Sequence, residues 1–82
     1  HKATLTFWKN YEKLPTHVQQ VADKNFALLK SDSKHPSLHF KKLGKFWSVR
    51  IGKNHRALAI EHEGNYYWQW IGSHADYDIF IR

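Results

Sequence analysis

Two hydrophobic periods divide the chain. From Val18 to Leu29 the apolar residues recur at helical spacing, placing Val18, Val21, Ala22, Phe26, Leu28 and Leu29 on one face. After Pro36 the period becomes two. Leu38 and Phe40 alternate with His39 and Lys41, and Trp47, Val49 and Ile51 alternate with Ser48 and Arg50. Arg56, Leu58 and Ile60 then alternate with Ala57, Ala59 and Glu61. Side chains that change face at every residue belong to strands.

The pattern predicts a short strand from Ala3 to Thr6, then a first helix near Phe7–Leu14 with Thr6 as its N-cap. Pro15 ends that helix and suits the start of a second over Thr16–Ser31. The polar run from Ser31 to Pro36 reads as a loop, and Glu63-Gly64-Asn65 as a turn into a last strand over Tyr66–Ile71. Trp68 and Trp70, two apart, are expected on one face, either in the core or as a platform for stacking bases. The sum is one α+β domain over residues 1–82. A short N-terminal strand and a two-helix hairpin pack on one face of an antiparallel sheet of about four strands, leaving the other face open.

Composition narrows the chemistry. Thirteen aromatics in 82 residues (5 Phe, 4 Trp, 4 Tyr) suit a small folded core. The chain has no cysteine, which removes disulfides and thiolate sites and fits a reducing, cytoplasmic setting. No run reaches the ~18 apolar residues of a membrane span, so no membrane partner is expected. The net charge of +6 is unevenly spread. Between residues 30 and 56, eight Lys and Arg face Asp32 alone, whereas the acidic residues gather after residue 57. A basic block confined to the middle third suits a polyanion partner, and equally a solvated charged face.

The most informative segment is Phe46–Ile60, two strand-like runs joined by a turn from Gly52 to His55. Arg50 and Arg56 flank that turn. With Trp47, Val49 and Ile51 under the helices, Ser48 and Arg50 point to the opposite face, and Arg56 can reach it across the turn. Guanidinium holds phosphate bidentately and stays charged. Lys41, Lys42, Lys45 and Lys53 would line the rim, and His39, opposite in parity to Leu38 and Phe40, would share the open face. From spacing alone, Arg50 and Arg56 suit pairing with Glu61, Glu63 or Asp76 as well. The seven histidines show no paired ligand spacing on a helix, so no metal or other cofactor is expected.

The run Trp47-Ser48-Val49-Arg50-Ile51-Gly52-x-x-His55-Arg56-Ala57-Leu58, followed by Trp70-Ile71-Gly72-Ser73-His74-Ala75-Asp76-Tyr77-Asp78, resembles the RelE/ParE superfamily of bacterial type II toxins. Leu14-Pro15 between the helices and His35-Pro36-Ser37-Leu38 at the entry to the sheet resemble its RelE-like branch. The resemblance spans essentially the whole chain and implies a toxin of a toxin–antitoxin system, neutralised by a cognate antitoxin. RelE-like members are mRNA endoribonucleases that inhibit translation, commonly on the ribosome. ParE-like members share the fold and instead poison DNA gyrase.

Metal-independent RNA cleavage needs a base, an acid and fixed cations at the scissile phosphate. Arg50 and Arg56 resemble the basic pair of RelE-like enzymes. His74 lies where those enzymes carry an Arg or His that protonates the leaving oxygen, a task suited to a side chain that titrates near neutrality. The alternative for His74 is a structural bond to Asp76 or Asp78. Tyr77 matches a family tyrosine that stacks on a base or acts as general base, or else it packs with Phe80. The chain ends five residues after Tyr77, so the C-terminal helix of some members is expected to be absent or vestigial. His55 occupies a position where relatives carry Tyr, implying packing or RNA stacking.

Overall fold

Thr4 rather than Thr6 starts the first helix. In the computed structural model, which describes residues 1–80, α1 spans Leu5–Glu12, and the Thr4 hydroxyl accepts the Phe7 N–H at 3.2 Å. That frame places Phe7 and Tyr11 one turn apart on the inner face, where Phe7 meets Phe26 edge-on at 5.8 Å. A start at Thr6 leaves the Phe7 N–H without this cap. The preceding strand, β1, is only Lys2–Ala3.

The second helix, α2, spans Thr16–Ser31 as the periodicity predicts, with Pro15 as its N-cap residue. Val18, Ala22 and Leu29 are buried, and Val21, Phe26 and Leu28 pack partly buried beside them. Two bonds close the helical hairpin. The Tyr11 hydroxyl donates to Asp23 Oδ1 at 2.8 Å, and Gln19 Nε2 donates to the Tyr11 carbonyl at 3.0 Å.

The alternation at Leu38 and Phe40 does not form a strand. Pro36–Leu38 is a 3-10 turn, consistent with a proline at its first position, and His39 takes a left-handed conformation with φ 44°. That reversal sends Leu38 fully into the core and Phe40 onto Trp47, with ring centroids 4.9 Å apart. Four strands follow: β2 (Lys41–Leu43), β3 (Phe46–Ile51), β4 (His55–His62) and β5 (Asn65–Ser73). The sheet order is β1-β5-β4-β3-β2, with β1 parallel to β5 and every other pair antiparallel. The α+β class with a helical hairpin on one sheet face is as expected, and the N-terminal strand joins the sheet as a fifth member.

Two features depart from the sequence reading. The first is a register shift between Leu58 and Ala59, where Leu58 pairs with Trp70 but Ala59 pairs with Trp68. One extra residue on β5 turns its remaining side chains over. Trp68 therefore lies in the core against Phe26 at 4.9 Å, while Trp70 stands on the opposite face. The two rings do not share a face.

The second is a C-terminal helix, α3 (His74–Phe80). The Ser73 hydroxyl accepts the Asp76 N–H at 3.2 Å, capping its first turn. Phe80 stacks on Trp70 at 5.4 Å and meets Phe46 at 5.7 Å. The sheet face expected to be open is thus partly covered, and Ser48 is 0% exposed. No helix among the described residues is long and apolar enough to cross a membrane.

Candidate nucleic-acid interface

Cross-strand register makes Arg50 and Arg56 direct partners in the β3–β4 ladder, so both side chains leave the same face. Gly72 pairs with Arg56 on its other side, and β5 runs straight on into His74. All three positions therefore lie at one end of the sheet, beside the Gly52–His55 turn. The His74 N–H donates to the Asn54 carbonyl at 2.7 Å, fastening α3 to that turn.

Like charges directly opposite one another on adjacent strands repel. Each arginine is held by an oxygen that carries no charge. Arg50 Nε donates to the Gly52 carbonyl at 2.9 Å, and Arg56 Nη1 donates to the Ser48 hydroxyl at 3.1 Å. Among the described residues neither guanidinium pairs with a carboxylate; the ion pairs found are His62–Glu63 and His74–Asp78. Each guanidinium has five N–H donors, so most remain available to an incoming anion.

Tyr77 links Arg56 to His74. The Arg56 guanidinium carbon lies over the Tyr77 ring at 5.3 Å from its centroid, within cation–π range. The His74 ring lies 5.7 Å from the same ring. Tyr77 is buried at 5% exposure, which makes it the platform on which the other two groups rest. His74 is half exposed, and its Nδ1 lies 3.6 Å from Asp78 Oδ2 one helical turn later. The carboxylate therefore lies at Nδ1 rather than at Nε2.

The other basic residues separate into groups. Lys41 pairs with Ser48 and so projects from the face that carries the arginines, two residues along the neighbouring strand. Lys42 pairs with Trp47 and belongs to the helix-side face. Lys45 sits in the turn at the far end of β3, its Nζ 5.3 Å from the Phe46 ring centroid. His39 is exposed at the 3-10 turn, beside Lys34, His35 and Lys41. Lys53 and His55 line a small cavity under the hairpin with His17. His55 lies in the helix-side register, opposite Ile51 and Ser73, and burial followed by the neighbouring His17 lowers its pKa. Among the described residues no three His, Cys, Asp or Glu side chains gather as a metal site would require.

Sequence reasoning missed two supports of this arrangement. Ser48 anchors Arg56, and its two-residue spacing from Arg50 was the available signal. Asn25 of α2 donates from Nδ2 to the Arg50 carbonyl at 2.8 Å, beyond the point where β2 stops pairing with β3. No local pattern announces that contact, because it joins residues 25 apart.

A comparison with curated proteins gives no match. Among solved structures, the crystal structure of a RelB-RelE antitoxin-toxin complex from Methanococcus jannaschii contains a chain with TM-score 0.78 to this one. The two share 13% identity over 100% of each chain, which is a likeness of fold. The model of the ParE-like toxin domain matches residues 16–79, from α2 through nearly all of α3. By fold and by that match the chain belongs to the ParE-like toxin domain family, within the RelE/ParE superfamily of toxins.

Proposed function

We propose that this protein is the toxin of a type II toxin–antitoxin pair and acts as an mRNA endoribonuclease of the RelE-like branch, inhibiting translation in the cytoplasm. The observation that carries the reading is the opposed pair Arg50/Arg56, free of carboxylate partners among the described residues and tied through Tyr77 to His74. A pure structural role leaves two repelling guanidiniums without compensation, whereas a phosphate between them offsets the repulsion.

In this reading the ribose 2′-oxygen attacks phosphorus as its proton passes to solvent water. The P–O5′ bond breaks, and His74 in its protonated form gives a proton to the departing 5′-oxygen. The products are a 2′,3′-cyclic phosphate and a 5′-hydroxyl, and His74 regains its proton from solvent. Arg50 and Arg56 stabilise the extra negative charge of the phosphorane. Tyr77 orients Arg56 and His74 from beneath.

The antitoxin partner is supported by the toxin–antitoxin assembly of the structural neighbour, and the basic middle third suits an acidic segment of it. A second reading, a gyrase inhibitor without nuclease chemistry, is favoured by the ParE-like model that matches the chain. Mapping mRNA 5′ ends in cells expressing wild type, Arg56→Ala and His74→Ala separates the two. Removing either group should slow cleavage by about 10²-fold or more. Growth arrest with intact mRNA and blocked supercoiling refutes the nuclease in favour of gyrase.

A further inference from the structure

The β3–β4 hairpin encloses a second basic site that the arginine face does not use. Gly52 has φ +61°, and a Cβ there would meet Val21 Cγ1 at 3.5 Å, so the turn rests closely on α2. Beneath it lies a cavity of about 160 Å³ lined by His17, Val18, Val21, Ile51, Gly52, Lys53, Asn54 and His55. Its floor is apolar, from Val18, Val21 and Ile51. Its polar wall holds His17, Lys53 and His55, and no carboxylate lines it.

We propose that this cavity is a phosphate subsite that holds one phosphodiester of a single-stranded RNA next to the candidate cleavage site. Three nitrogen-bearing side chains from two elements converge on one small volume, and no carboxylate among the lining residues balances the Lys53 charge. The volume falls below the roughly 300 Å³ at which ligand pockets usually begin, so it suits a single phosphate group and excludes a base with its sugar. The location fits a continuous strand. Asn54 lines the cavity and also accepts the His74 N–H at 2.7 Å, so the turn carries the subsite on one side and His74 on the other.

Burial and His17 both disfavour the charged form of His55. An anion in the cavity reverses that bias, because it favours the protonated imidazole of His55. Phosphate binding therefore takes up protons and weakens as pH rises.

The assignment to RNA rests on the nuclease reading, whereas the anion site itself does not, and the experiment separates them. Imidazole NMR signals of the full chain are followed against pH with inorganic phosphate, with acetate, and with chloride at matched ionic strength. A short single-stranded RNA is then titrated into wild type, Lys53→Ala and Lys45→Ala. Phosphate should raise the His55 titration midpoint while acetate does not. RNA should produce the same His55 change, and Lys53→Ala should weaken RNA about tenfold, as expected for one charge-assisted contact. Lys45→Ala, which removes the same charge at the far end of β3, should have a much smaller effect. The proposal is overturned if phosphate leaves His55 unmoved, if acetate acts equally, or if the two lysine variants weaken RNA alike. RNA that binds and is cleaved without moving His55 refutes the subsite and leaves the nuclease standing. Phosphate and RNA that both move His55 in a protein that cleaves nothing refute the nuclease and leave the subsite.

Discussion

Gly72→Ala tests how the covering helix is held over the sheet. Gly72 lies two residues after Trp70 on β5, so the two positions share a face. A Cβ at Gly72 would stand 2.5 Å from Trp70 Cζ2 and 2.9 Å from Cη2, both well inside van der Waals contact. The backbone cannot yield readily, because Gly72 and Ile71 are paired with Arg56 and Ala57. Nor can the indole withdraw freely, because Phe80 stacks on it at 5.4 Å and an interplanar angle of 16°. Relief requires Trp70 to push α3 away. Overpacking of this kind costs about 1–3 kcal/mol. For a domain of this size each kcal/mol lowers Tm by roughly 4–8 °C, so a fall of about 4–24 °C is expected by calorimetry. Displacing α3 also moves Tyr77 and His74 away from Arg56, so the proposed RNA cleavage should fall and the near-UV dichroism of the stacked rings should change. Gly64→Ala provides the contrast. A Cβ there meets nothing within 4 Å, although φ is +80°, so it should lower Tm through backbone strain alone and leave cleavage and the aromatic signal intact. A Gly72→Ala protein with wild-type Tm, dichroism and cleavage refutes the packing argument.

Asn25→Ala removes the bond to the Arg50 carbonyl and should cost about 1 kcal/mol in chemical denaturation, with weaker RNA binding as the edge of β3 loosens; unchanged stability shows that water replaces the amide without loss. His55 predicts a pH effect whose sign is fixed by burial and His17, which lower its folded-state pKa below the unfolded value. The stability that goes with its neutral form is complete above the unfolded value of about 6.5 and is lost as pH falls through the folded one. In phosphate-free buffer, Tm should therefore fall more steeply on acidification for wild type than for His55→Gln, and parallel curves contradict the assignment.

Local patterns were sufficient for α2, for the β3–β4 hairpin and for bringing Arg50 and Arg56 to one face, while their direct pairing came from the register of the folded sheet. Each depends on spacing within one segment or across one tight turn, where period and glycine chemistry act directly on the backbone. Tertiary structure decided the rest. The extra residue on β5, Gln69, arises from how β5 meets β4, and it moved an indole across the sheet without any change in the alternation that the sequence displays. Ser73-His74-Ala75-Asp76 carries a helix-capping spacing, yet α3 gains its place by covering Trp70 and Phe46, surfaces that exist only once the sheet has formed. The same holds at the candidate site. Sequence supplied Arg50, Arg56 and His74 as separate chemical groups. Their joint use depends on Tyr77 beneath them, Asn25 behind them and the Asn54 carbonyl beside them, contacts between segments that only packing brings together.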